Sequence, residues 1–246
     1  MLIFILPLAS LVIIWWTVYW MGLIRVLPSP IEVAGTMVSR WRILLRDLGS
    51  SAVRIAAGFC LAMVIGIPVG LLMGTNRYVH FLLRPILTLL LPVPTLAWVP
   101  ILLIMWGVGD QTIIFAIFLG GFFSIAYNTA TGVRGIDQDL ILAARIMGAS
   151  RRELFAKVLL PGSMVSVLAG LRLAIGYSWR ALVGAEMLAA ASAGLGFRVF
   201  NSWRFVAVDV MFASLVIIMA IGFIMERFLV EPLERRTVKR WGMIRV

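Results

Sequence analysis

The chain is poor in the residues from which most catalytic and metal sites are made. Among 246 residues it has one histidine, one cysteine and 11 acidic side chains. A single cysteine, Cys60 inside an apolar run, excludes an internal disulfide framework and a cysteine-based metal site. His80 has no second ligand near it in sequence, so it is read as a membrane-surface residue and no metal is assigned. No GxxxxGK[ST] phosphate loop occurs, and neither a GxSxG elbow nor an HExxH pair is present. Without them this chain is not expected to be an enzyme, and it cannot cradle ATP phosphates in the usual way. A convincing internal repeat is also lacking, which counts against an inverted-repeat secondary transporter.

Charge of either sign is scarce as well. Charged residues make up 13% of the chain against 62% hydrophobic, and the mean hydropathy is +1.05. No water-soluble domain carries such a composition on its surface, so the chain is read as a polytopic all-α membrane protein. The net charge of +11 is not read as a nucleic-acid signal, because Lys and Arg gather beside the apolar runs, as orientation signals do.

Six transmembrane helices are predicted. Residues 1–26 form the first: Met1 to Ile24 contains no charge, lacks a basic leader and is longer than a signal-peptide core. Residues 27–50 follow as an amphipathic segment, turned at Leu27-Pro28-Ser29-Pro30 and rich in arginine around Trp41. Residues 51–230 form a five-helix core that includes a polar hairpin at 136–162, and residues 231–246 form a basic tail. With six spans both termini share the hairpin's side. That side has 13 basic residues against 7 on the other. The hairpin and termini are therefore expected in the cytoplasm, and segment 27–50 outside it.

Three spans carry features beyond hydrophobicity. The second, Ser51 to Met73, places Gly58, Ala62, Gly66, Gly70 and Gly74 at a strict four-residue repeat. Small side chains at that spacing let another helix approach closely. Pro68 in the same run can bend it. The third is punctuated by Pro85, Pro92, Pro94 and Pro100, and irregular backbone at membrane depth survives only when buried in protein or lining a wet cavity. Pro92 to Pro100 is therefore a candidate pathway lining, with Trp98 as gate or contact, or else a kinked packing helix. The fifth, Ser163 to Ala189, holds Arg172, Arg180 and Glu186. Ionisable groups at that depth face protein or water. Arg172, Trp179 and Glu186 share one helix face and Arg180 flanks it. The stripe either lines a path for an anionic solute or forms structural ion pairs.

The hairpin Ile136 to Gly162 is the one long charged and amphipathic stretch between two spans, so it sits in water at a membrane face. Asp137 or Asp139 can cap a first short helix, Gly148 ends it, and Ser150 with Glu153 fits a capping box for a second. Pro161 is expected to stop that second helix or mark the next span. Leu140, Ile141, Ala144 and Met147 form an apolar face that packs either in a groove on another protein or on the chain's own bundle.

The order Ala143-Ala144-Arg145, Gly148-Ala149-Ser150 and Leu160-Pro161 resembles the EAA loop of binding-protein-dependent ABC importer permeases. LLPVPTLAWVPILLIMWGVGD and GLRLAIGYSWRALVGAEMLAAASAGLGF are similar to the nitrate, sulfonate and taurine branch of that family. The resemblance implies a type I ABC importer permease fold in a bacterial inner membrane, with a cytoplasmic helix-turn-helix coupling loop. It further implies a second permease copy, a separate ATPase subunit that binds ATP and Mg, and an extracytoplasmic solute-binding protein. By the same resemblance Ala143, Ala144, Arg145, Gly148, Ala149 and Ser150 fall on the ATPase-coupling loop, and the solute is small and anionic. The glutamate that opens the usual motif is Leu142 here. The alternative is an ion-coupled secondary transporter that uses the charges of the fifth helix.

Overall fold

A computed structural model describes residues 2–230; the basic tail expected at 231–246 lies outside the described residues. Helices are the only regular elements among the described residues. They are α1 (Leu2–Trp20), α2 (Pro30–Ser39), α3 (Trp41–Thr75), α4 (Arg77–Leu90), a 3-10 turn (Thr95–Trp98), α5 (Val99–Trp106), α6 (Asp110–Arg134), α7 (Gln138–Ile146), α8 (Arg151–Leu154), α9 (Leu160–Ala189), α10 (Leu195–Arg204) and α11 (Val208–Met225). Four helical stretches are long and apolar enough to cross a membrane unbroken: Trp41–Thr75, Asp110–Arg134, Arg151–Ala189 and Val208–Phe228. A fifth crossing is bent, with Arg77–Leu90 and Thr95–Trp106 meeting at 98°. Helix α1 adds a 19-residue apolar rod, about 28 Å long at 1.5 Å per residue. That is close to the thickness of a bilayer's hydrocarbon core.

The centre is α6, held between α3 and α9. On α3 the small residues meet α6 in order: a methyl group at Gly58 would collide with Ile117, at Gly66 with Ile125, at Gly70 with Thr129 and at Gly74 with Val133. Ala62 fills the remaining step opposite Gly121. The partner number climbs with the glycine number, so α3 and α6 run parallel, close enough that no Cβ fits at those four glycines. Helix α9 runs the other way, with its Ser166 against Gly132, Gly170 against Asn128 and Ser178 against Gly121.

Parallel neighbours need a return crossing between them, and the broken span supplies it. Its start follows Gly74 at the hairpin end, and its finish reaches the opposite end, where the Gly109 N–H donates to the Ala189 carbonyl at 2.8 Å. The interruption lies at Leu91–Pro94. Pro92 and Pro94 have no N–H to continue the α ladder, so the backbone turns before Thr95. Pro85, by contrast, sits inside α4 without ending it.

Several predicted boundaries move. The amphipathic segment is not one piece: α2 is a short helix with its own capping box, Ser29 with Glu32, and Trp41 already belongs to the 35-residue α3. The second span thus starts ten residues earlier than Ser51. Pro68 lies inside α3, which continues past it to Thr75. Pro161 stands in the first turn of α9, so of the two positions expected for it the entry to the next span is the one found. A π turn over Phe155–Leu159 joins α8 to α9, where the Leu160 N–H reaches back to the Phe155 carbonyl. The widened turn leads into a position where proline's missing N–H is harmless.

Candidate functional site: hairpin, far-end ion cluster and broken span

The hairpin is built by local chemistry. The Asp137 side chain accepts the Asp139 N–H and caps α7. At the other end the Ala149 N–H donates to the Ala144 carbonyl at 3.0 Å and the Gly148 N–H to the Arg145 carbonyl at 2.9 Å. That pair is a Schellman motif, and it needs Gly148 at φ +85. The Ser150 hydroxyl then accepts the Glu153 N–H while Glu153 accepts the Ser150 N–H, and Lys157 clamps the same carboxylate at 3.0 Å. Two stiff pieces result, joined by a turn of fixed shape.

The apolar face expected on α7 is divided. Ala144 is only 7% exposed and Ile141 is half-buried. Ile141 lines a cavity together with Val133, Leu154, Phe155 and Leu159 of the chain's own bundle. Leu140 and Met147 point outward, joined there by two side chains absent from the predicted face: Leu142 at 57% and Ile146 at 78% exposed. The inner half of α7 therefore fixes it to the core, and the outer half is free to be covered. Ala143, Arg145, Gly148 and Ser150 lie on the exposed side, with Ala149 half-buried.

At the opposite end is a cluster of charges that sequence reasoning missed. Glu186, at the end of α9, is fully buried. Its carboxylate accepts the Ser51 hydroxyl at 2.8 Å, the Arg54 guanidinium at 2.8 Å and the Gly196 N–H at 2.9 Å. Arg54 also donates to the Ala193 carbonyl at 2.6 Å and pairs with Asp110 at 2.7 Å. Beside it, fully buried Asp47 accepts the Gly194 N–H at 3.1 Å and pairs with Arg198 at 2.6 Å. Gly194 sits at φ +139, and a methyl there would meet the Glu186 carboxyl carbon at 2.6 Å and the Arg54 guanidinium at 2.7 Å. A signal for this cluster existed. Asp47, Ser51 and Arg54 continue the stripe of Gly58 and Ala62 at helical spacing, so the face that packs against α6 must carry them inward.

The predicted stripe on α9 does not act as a unit. Arg172 is exposed and pairs with Glu226 at 3.3 Å. Trp179 lies against Gly222 of α11. Glu186 is enclosed in the cluster just described. Arg180, also exposed, holds its guanidinium 5.8 Å from the Tyr177 ring centre. Trp98, by contrast, faces a cavity of about 300 Å³ created by the break in the third span.

Residues 66–239 match the family of binding-protein-dependent transport system inner membrane components. The chain belongs to that family. This permease is 37% identical to the taurine transport system permease TauC of Escherichia coli, over 96% of this chain and 89% of the relative. A putative ABC transporter permease of Methanocaldococcus jannaschii is 42% identical over 71% of this chain and 65% of the relative, a match that spans just under two thirds of that protein. The bicarbonate transport system permease CmpB of Synechococcus elongatus is 37% identical over 73% of this chain and 64% of its own length. Among solved structures, an inward-facing form of the MetNI methionine ABC transporter superposes with a TM-score of 0.58 at 22% identity, covering 79% of this permease and 98% of that chain. That likeness gives the type I importer permease fold and nothing about the solute.

Proposed function

We propose that this permease forms the translocation pathway of an ATP-driven importer for a small anionic solute of the taurine, sulfonate or bicarbonate kind, and that α7 is the handle moved by a separate ATPase. The observation that carries the reading is the outer half of α7. Leu142, Ile146 and Met147 are apolar, largely exposed and mounted on a stiff, capped hairpin. Such surface on a water-side element marks a site another protein covers. Leu142, standing where the family motif has glutamate, makes this contact apolar rather than charged.

ATP and Mg belong to that ATPase, since this chain has no phosphate loop. An extracytoplasmic binding protein delivers solute onto residues 28–46 and 190–206, a second copy of the chain completes the pore, and lipid surrounds both. When the ATPase subunits close, the docked hairpins move with them and rigid helix motions switch the open side of the pore. An ion-coupled carrier built on Arg172, Arg180 and Glu186 lacks comparable support, because those side chains do not converge.

The test is solute uptake by the reconstituted complex carrying Met147→Asp or Ile146→Asp. Uptake and solute-stimulated ATP hydrolysis are expected to fall at least about tenfold, because a buried unpaired carboxylate costs several kcal/mol at an interface. The chain itself should insert and melt as the parent does, since both side chains are exposed. Wild-type uptake by both variants would overturn the docking role.

A further inference from the structure

We infer that the hollow between α4 and the end of α6 is a binding site for an anionic phospholipid, with its phosphate among Arg77, Arg84 and Arg134 and its acyl chains along α4. The inference does not depend on which solute is carried. The hollow lies at the hairpin end of the bundle, where α3 gives way to α4 and α6 runs out, and its volume is about 1290 Å³. Its origin is local. Val79, Leu83 and Leu87 recur at four-residue steps and pack α4 onto Met73, Ala126 and Ala130. With that face occupied, helical geometry turns Arg77, Phe81, Arg84 and Thr88 away from the core, and all four line the hollow. Arg134, in the last turn of α6, lines it too.

Charge and hydrocarbon in one wall name the occupant. The lining holds three arginines and no acidic side chain, and none of the three forms an ion pair among the described residues. At the other end of the bundle Arg54 and Arg198 are each given a carboxylate. Here the counter-charge has to come from outside the chain. Phe81 and Leu89, 84% and 73% exposed, share the wall with the arginines. A free anion makes no use of them, and an acidic protein surface would have to lay polar groups against them. A phospholipid carries both parts. The lining runs along α4 from Arg77 to Leu89, about 18 Å at 1.5 Å per residue, comparable to one leaflet's share of a hydrocarbon core roughly 30 Å thick. The basic residues also favour this end in the cytoplasm, the side on which basic pockets between transmembrane helices take phosphate headgroups.

The experiment is native mass spectrometry of the full chain, purified in detergent micelles doped with equal amounts of phosphatidylglycerol and phosphatidylcholine, which counts the lipids that stay bound. The wild-type chain is expected to retain phosphatidylglycerol in preference to phosphatidylcholine by at least about tenfold. Arg84→Gln and Arg134→Gln should each weaken that preference about fivefold, and together remove most of it. Both side chains are exposed, so neither change strands a buried partner. Arg152→Gln removes the same charge from an exposed site at the same end but outside the hollow, and should leave the preference unchanged. An equal loss in Arg152→Gln would overturn the site in favour of general attraction to a basic surface. So would equal retention of the two lipids, or wild-type preference in the Arg84→Gln, Arg134→Gln double variant. Displacement of the lipid by millimolar inorganic phosphate would give the hollow to a free anion instead, and retention by the monomer that vanishes in the dimer would give it to a second copy of the chain; either result overturns the assignment. Retention needs neither ATPase nor solute, so failure here and failure of the hairpin test are separate results.

Discussion

Arg54 connects more of the fold than any other side chain at the end away from the hairpin. It starts on α3, neutralises Glu186 of α9, reaches Asp110 at the start of α6 and holds the Ala193 carbonyl. Charge inside a membrane protein is tolerated on these terms, paired and hydrogen-bonded within the protein. Glu186→Leu is expected to cost about 3–5 kcal/mol, because it leaves the buried guanidinium short of a partner and the Ser51 hydroxyl and Gly196 N–H without an acceptor. Combining it with Arg54→Met should return part of that loss, since no charge is then stranded. Denaturation of the solubilised single and double variants measures this. If the two single losses simply add, the residues do not act as a pair. The composition of the cluster was readable one residue at a time, but its closure was not. Asp47 and Arg198 are 151 residues apart, and no local pattern reports a contact at that separation.

Among the elements, α3 shows best what periodicity conveys. The four-residue repeat of small side chains was legible, and α6 lies against it with Ile125 and Thr129 at the glycines. Gly70→Ala would put a methyl 2.5 Å from Thr129 Cβ and 2.7 Å from the Ala126 carbonyl, so α3 and α6 must separate. A loss of about 1–3 kcal/mol is expected, as for other overpacked cores. Gly49→Ala, on the same helix with nothing within 4 Å, should be neutral or gain up to about 1 kcal/mol from helix propensity. Thermal unfolding of the two variants side by side checks the contrast, and equal midpoints would refute the close packing. Element ends were harder to read. Asp47, Ser50 and Ser51 look like a water-facing boundary, yet Asp47 and Ser51 are bonded inside the protein and the helix runs through them. Proline, too, cannot be read from its sequence neighbours alone. Its cost of about 3 kcal/mol in a helix interior is a local quantity, and whether packing or a π turn absorbs it at Pro68, Pro85 or Pro161 depends on distant neighbours. Pro92 and Pro94, two residues apart, left no such option.

For the whole molecule, everything functional depends on which end faces the cytoplasm. The helix order places the hairpin, the end of α3 and the start of α9 at one end, and the Glu186 cluster with α10 at the other. The basic residues favour the hairpin end inside, 13 against 7, a margin that reflects the arginines clustered near Trp41. Labelling measures it directly. Cys60 is exposed, so the starting chain is Cys60→Ser, into which Ser150→Cys or Phe205→Cys is introduced. Both positions are exposed, Ser150 in the hairpin and Phe205 in the turn between α10 and α11. In intact cells a membrane-impermeant maleimide should label Phe205→Cys and leave Ser150→Cys untouched, and in inverted vesicles the pattern should reverse. The opposite pattern would put α7 outside, where no ATPase waits. The apolar side chains of Leu142, Ile146 and Met147 would then have to be covered by an extracytoplasmic partner, and the coupling role would pass to the segment around α10.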